Sequence, residues 1–478
     1  MKDNLLKKFI SFSYGSWIGL IIGFITTLIT TRILSPSDFG KSSMFALTMN
    51  VCMIFVIFGT DQAFVRFFYE ERKEKRGGLL YNSLKISLTV AIIVSLLIIL
   101  FSKQITLFLF DEESLMLSIF LVIAILFNFF YRYGTLVIRM QHKGNRFSIL
   151  EILNKLFNLI LILIFALFVG NTYKIIIYST VVTLILLTII SVLFERDFWS
   201  IRNFKVNDLK HSKIEIIKYS YPFVLTILIT WLFQSFDQIA IRHWSTFEEL
   251  GLYAAAFKIV ALLSVLQVTF STFWTPVCYE HFEKTPNNKS LYRNTTKIIT
   301  FIMFLVAIIT IAGKDIIVYL LGSDFKEAAK IMPFLVFMPI MYTISETTVI
   351  GINFYKKTKW HIFISLVACI VNIIGNWLLV PNYGALGASI STAFSYIVFF
   401  SLRTLISLKY YKVYYDLRRI YFMILILTVY SIYSIINLNF YLNILAGFCS
   451  FLFMVLVYYK DFLLFIRKNP IKHLSKKV

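Results

Sequence analysis

The chain has 478 residues, 59% of them hydrophobic, a mean hydropathy of +0.78 and a formal net charge of +22. A water-soluble chain of this size could not bury so much apolar surface, so lipid must be the solvent. Apolar runs of ~18 residues or more recur from end to end, the length of a bilayer-crossing helix, whereas a membrane β-barrel would show ~10-residue alternating segments.

Charged and Pro/Gly-bearing interruptions cut the chain into fourteen apolar segments: 12–33, 42–65, 79–101, 114–137, 147–169, 173–194, 216–241, 250–277, 296–313, 330–352, 360–380, 386–408, 420–437 and 440–465. The ninth and thirteenth are the shortest, leaving twelve spans as the alternative count. The first follows Lys2, Lys7 and Lys8 but ends in Arg32 with no small-residue cleavage site, so it reads as a retained helix. Cys52, Cys278, Cys369 and Cys449 all fall in apolar segments and the six histidines are dispersed. That spacing offers no disulfide framework and no metal-ligand set, and no cofactor is expected.

Of the 47 Lys and Arg residues, 34 fall in the termini and alternate loops on the N-terminal side or at the segment ends beside them, and eight in or beside the opposite loops. Positive charge accumulates on the cytoplasmic side, so both termini are expected inside and the number of spans even. Most of the net charge is therefore orientation, and a nucleic-acid partner is not expected. The longest polar connection, about 195 to 215, is too short for a catalytic domain.

Between segments 1 and 2 stands "TRILSPSDFGKSSMF" (31–45). Ser35 can cap a helix, Pro36 suits its first position and Asp38 completes a capping-box-like pattern. The second half contains "IRHWSTFEELGLYAAAF" (241–257), where Arg242 ends segment 7, Ser245 and Glu248 repeat the Ser-x-x-acid spacing, and Gly251 stands where Gly40 stood. "RFFYEE" (66–71) and "PVCYEHFE" (276–283) then end segments 2 and 8 at matching distances. These marks argue for an internal repeat offset by six helices, both copies running the same way through the membrane. Secondary transporters are often built so, with the substrate site between the repeats.

Taken in order, "TRILSPSDFG", "GTDQAFVRFFYEE" (59–71), "GLYAAAFKI" (251–259) and "VPNYGALGASIS" (380–391) resemble the polysaccharide flippases of the multidrug/oligosaccharidyl-lipid/polysaccharide exporter superfamily. The resemblance spans nearly the whole chain. It implies an all-α integral membrane protein of about fourteen transmembrane helices. Two six-helix lobes, related by a pseudo-two-fold along the membrane normal, would face a central cavity, with helices 13 and 14 added. The boundaries would be an N-terminal lobe at 1–195, a cytoplasmic linker at 196–215, a second lobe at 216–410, and helices 13–14 with a basic tail at 411–478. The implied activity is alternating-access transport in the bacterial cytoplasmic membrane. The substrate would be an undecaprenyl-pyrophosphate-linked oligosaccharide, the repeat unit of O-antigen, capsule or a related polymer. The expected partners are that substrate, membrane lipids, and the polymerase and chain-length machinery.

Charges inside spans are costly and usually face a bundle interior or a water-filled space. Lys155 lies about 12 Å into segment 5, with Glu151 one turn before it as a pairing candidate and Asn154 and Asn158 beside it. Lys258 lies comparably deep in segment 8. Either ammonium could attract a pyrophosphate; an internally paired structural lysine is the bland alternative. Arg32 and Arg242 end equivalent helices, as snorkelling anchors or as residues facing a shared cavity, and Arg66 could meet a headgroup. Arg132 and Arg403 lie near enough to the inner surface to snorkel. Asp237, Asp61, Glu151 and Glu346 are the candidate ion-coupling or charge-partner acids. Asp237 stands about one turn before Arg242 and could carry a proton, bind sodium or neutralise that arginine.

A cation antiporter of the same superfamily would favour an acidic or aromatic cavity, whereas the within-span charges here lean basic. A membrane-embedded polymerase, glycosyltransferase or acyltransferase should show a large outer loop or an intramembrane His/Asp pair, and neither is evident. A transporter, not an enzyme, is expected.

Overall fold

The computed structural model describes residues 2–200, 202–203, 209–437 and 439–467, with side chains described between 11 and 459. The side chains of Lys2, Lys7 and Lys8, linker positions 201 and 204–208, and the tail beyond 467 lie outside the described residues. Those described form helices and no strands.

Among the described residues, thirteen helices are long and apolar enough to cross a membrane. The first ten are α1 (Ser11–Ile33), α2 (Pro36–Ile57), α3 (Lys73–Leu100), α4 (Leu115–Met140), α5 (Gly144–Val169), α6 (Lys174–Phe194), α7 (Lys213–Trp244), α8 (Phe247–Lys284), α9 (Ser290–Ala312) and α10 (Ala328–Thr348). The next, Lys359–Tyr410, has 52 residues, about 78 Å at 1.5 Å per residue and more than twice the ~30 Å hydrocarbon core. Its backbone leaves the helical region at Gly384 (φ 51°, ψ −132°). Beyond that break the chain folds back, since Ser391 Oγ donates to the Asn372 carbonyl at 2.9 Å. The stretch is therefore two crossings, α11 (359–383) and α12 (385–410). With α13 (Leu417–Ile436) and α14 (Phe440–Tyr459) the crossings number fourteen. The two segments that were shortest in sequence are full-length: 23 residues in α9 and 20 in α13.

Large apolar side chains point outward, as a lipid solvent requires: Leu167 is 83% exposed and Phe168 81%. Two compact units partition the chain. One comprises the residues up to Ser235 with Phe247–Gly251, the other Phe236–Thr246 with everything from Leu252. In the first, α1 packs on α5, α5 on α6 and α6 on α4. In the second, α10 packs on α9 and on the α11–α12 hairpin, while α14 lies on α9. Asn443 ties α14 to α9 by donating to the Ile311 and Ala312 carbonyls, both at 3.2 Å. Short helices, Ser102–Phe110 after α3 and Lys314–Tyr319 after α9, recur at the same place in the two halves.

The α2 cap forms as its sequence dictates. Ser35 Oγ accepts the Asp38 amide at 3.1 Å and donates to Asp38 Oδ2 at 2.6 Å, with Pro36 at the first helical position. The other Asp38 oxygen accepts the Tyr173 amide at 3.1 Å. The helix that carries Gly251 starts at Phe247, so the residue equivalent to Ser35 is Thr246 and the equivalent acid is Glu249. That register, one residue on from Ser245 and Glu248, gives the same five-residue step to Gly40 and to Gly251. The two glycines meet. A Cβ on Gly40 would lie 2.3 Å from the Phe247 carbonyl oxygen, and one on Gly251 would lie 1.8 Å from the Pro36 carbonyl oxygen. Each glycine thus sits on the first residue of the other helix, backbone against backbone.

The second crossing is not one continuous helix. It breaks at Phe58 and Gly59, both at positive φ, and restarts as Thr60–Phe67. The carbonyl of Ile57, freed by the break, accepts from Thr60 Oγ1 at 2.7 Å and Ser87 Oγ at 3.0 Å. Tyr133 closes the cluster through its hydroxyl.

"RFFYEE" fastens one end of the first unit. Buried Glu71 accepts the Lys210 amide at 3.0 Å. His211 stacks on Phe67, with Glu70 and Glu215 at 3.1 and 3.0 Å from its ring nitrogens. Nearby, buried Glu195 at the end of α6 gathers Lys143 from the α4–α5 turn (2.6 Å) and Arg146 from the first turn of α5 (2.8 Å). The second copy of the mark has a different setting: Glu280 pairs with Lys284 on the surface, while Cys278 lies in an apolar cluster with Trp274, Tyr292, Phe354 and Tyr411.

Candidate functional site

The most organised polar centre inside the spans surrounds Asp237 of α7, which is 2% exposed. Its Oδ1 accepts from Asn372 Nδ2 at 3.0 Å and Asn376 Nδ2 at 2.7 Å. Its Oδ2 accepts from Tyr253 and Thr392 hydroxyls, each at 2.6 Å. These donors come from α8, α11 and α12. An ionised carboxylate offers about four acceptor positions, and all four are filled by neutral groups. The four groups that donate to Asp237 are all uncharged. A buried charge held only by neutral donors is a group that a proton or small cation can compete for.

Two of the other candidate acids, Asp61 and Glu346, are charge partners. Asp61 is buried and takes Arg132 of α4 at 3.0 Å. Glu346 takes Arg403 of α12 at 2.8 Å, and Arg403 also donates to Ser345 Oγ at 2.5 Å while lying over the Tyr342 and Phe399 rings. Arg403 is 5% exposed and does not snorkel. Its carboxylate partner and two aromatic faces supply what the headgroup region would otherwise offer. Removing one partner of a buried pair costs about 3–5 kcal/mol, whereas removing both is often near neutral. Arg403→Met should therefore lower the melting temperature of the purified protein, and Arg403→Met/Glu346→Leu should recover most of the loss. If the single variant melts with the wild type, the pair is not structural.

The cations differ from one another. Lys155 is exposed, its stem lies against Gly19 of α1, and it makes no ion pair with Glu151, which is half-buried. Lys258 is exposed although the neighbouring turn, Leu252–Ala256, is buried. Arg32 is exposed and Arg242 half-buried, both engaged by neighbouring groups. Arg66 is exposed and ion-paired with Glu70, one turn on. What sequence reasoning missed is the retinue of Asp237. Its available signal was Asn372 and Asn376, one helical turn apart in an otherwise apolar span.

A family model described as "Polysaccharide biosynthesis protein" matches residues 5–282, more than half of the chain. The chain belongs to the polysaccharide biosynthesis protein family. A second model, MatE, matches residues 222–378 of this family member. Among solved structures, it is similar to the lipid II flippase MurJ in an inward closed conformation. That match has TM-score 0.70 and 17% identity, covering 95% of this chain and 100% of the other. An inward-facing multidrug resistance MATE transporter of the MOP superfamily matches with TM-score 0.64 and 16% identity over 81% and 93% of the two chains. A MOP superfamily transporter from Pyrococcus furiosus, described as having a binding pocket of reverse polarity, matches with TM-score 0.54 and 16% identity over 84% and 94%. A sequence comparison with curated proteins gave no match. The protein is a multi-pass membrane protein with the fold of MOP superfamily transporters.

Proposed function

We propose that this protein flips an undecaprenyl-pyrophosphate-linked oligosaccharide across the cytoplasmic membrane for surface-polysaccharide synthesis. It works by alternating access, with both termini in the cytoplasm and no catalytic chemistry. One observation carries the reading. Within the spans, Lys155 exposes its ammonium-bearing side chain, whereas Asp61, Asp237 and Glu346 are occupied by protein donors. Exposed cations suit an anionic pyrophosphate, and hidden carboxylates do not suit a cationic drug. The 34-to-8 distribution of Lys and Arg supports the orientation.

In this scheme Lys155, Lys258 and Arg242, with Arg32 and Arg66 nearer the membrane faces, attract and hold the pyrophosphate, and Asp237 couples transport to a proton or sodium ion. The MatE match over 222–378 favours a cation antiporter as the second reading. That activity would need a carboxylate accessible to the drug. Charge-assisted hydrogen bonds contribute about 1.5–3 kcal/mol each. Lys155→Ala, Lys258→Ala and Arg242→Ala should each lower surface polymer about tenfold, with the protein still present in the membrane by immunoblot. Normal polymer in all three would refute the role of these cations.

A further inference from the structure

A second cationic feature belongs to neither the candidate coupling site nor the span-centre lysines. Arg293, Thr296, Lys297 and Thr300 of α9 line one cleft with Asp416 and Arg419 at the foot of α13. Three cations meet one carboxylate, and Asp416 is already held by Arg419 at 2.7 Å, so the cleft remains net positive. Arg293 and Lys297 are one turn apart, and Thr300 lies a further turn inward. Thr296 satisfies its hydroxyl on the Tyr292 carbonyl at 2.9 Å, as Thr310 does on Val306. The Thr300 hydroxyl, on a residue with no exposed surface, has no hydrogen-bond partner. A buried hydroxyl left unbonded costs about 1–3 kcal/mol, so this one lacks an acceptor.

Charge bias alone would scatter basic residues around the helix ends. Here residues from two helices distant in sequence converge with a buried donor behind them, on the Lys/Arg-rich side of the membrane. Basic clefts between transmembrane helices at that level suit lipid phosphates. We infer that the mouth of this cleft, whose interior of about 10 Å³ has room for a single water, holds the phosphate of an anionic glycerophospholipid from the adjacent leaflet, Arg293, Lys297 and Arg419 supplying charge and Thr300 a hydrogen bond through that water. The site is a lipid anchor separate from the transported substrate, and does not depend on what the protein transports.

The test is native mass spectrometry of the full-length protein in detergent, titrated with dioleoyl phosphatidylglycerol or dioleoyl phosphatidylcholine. The wild type should bind the first lipid at least tenfold more tightly. Arg293→Gln/Lys297→Gln, which alters only side chains at the mouth of the cleft, should abolish the preference, and Thr300→Val should weaken it severalfold. An unchanged preference in the double variant would overturn the inference. So would equally effective competition by inorganic pyrophosphate, which would make the ligand a soluble phosphate. Tighter binding of undecaprenyl phosphate than of phosphatidylglycerol would also overturn it, by reassigning the cleft to substrate.

Discussion

Asp237→Asn is expected to reduce surface polymer by more than tenfold and to remove the dependence of transport on ion gradients. The substitution preserves size but places an amide NH2 where a carboxylate oxygen accepted two donors. Either Asn372 and Asn376 or Tyr253 and Thr392 would then face another donor. Each buried group left unsatisfied costs about 1–3 kcal/mol, so a fall in melting temperature should accompany the loss. Stability alone does not test the coupling role. Transport into proteoliposomes, measured under an imposed proton or sodium gradient, does. The wild type should respond to one of the two gradients and Asp237→Asn to neither. If the variant still responds as the wild type does, Asp237 is a structural carboxylate and coupling resides elsewhere. Asn376→Ala removes one donor and should fall between the two in both readouts.

The second large effect concerns Gly251. Even alanine there would place a Cβ 1.8 Å from a backbone oxygen of Pro36, which cannot move as a flexible side chain can. The ends of α2 and α8 would have to separate, and overpacking of this kind costs about 1–3 kcal/mol for one methyl and more for larger groups. Gly251→Ala should lower the melting temperature by several degrees, and Gly251→Leu should deplete the protein from the membrane. Gly40→Ala should behave like Gly251→Ala, because its Cβ meets the Phe247 carbonyl in the reciprocal contact. Wild-type melting by both alanine variants would show that the crossing does not constrain the fold.

Much of the architecture was legible because lipid imposes few choices. Length and apolarity located all fourteen crossings, including the hairpin around Gly384. The cap of α2 was also readable, since Ser35, Pro36 and Asp38 act through neighbours a few residues away. The break at Phe58 and Gly59 was not, because side chains from α3 and α4 stabilise it and composition stays apolar across it. Arg132 and Arg403 look like surface anchors from their depth alone. Their pairing with Asp61 and Glu346 depends on helices brought together only by packing. Asp237 was legible as an intramembrane acid, but its donors lie up to 155 positions away, and the Asn372–Asn376 spacing marks two of them without pointing to the acid they serve.

The placement of those donors has a mechanical meaning. One carboxylate fastens α7 to α8, to α11 and to α12 at once, through four bonds that all end on its two oxygens. Whatever takes one of its lone pairs must loosen at least one of these fastenings. Arrival of a proton or a cation would therefore register as slack between helices as well as a change of charge. A single titrating atom pair would act as the bolt that sets how freely this half of the molecule can flex.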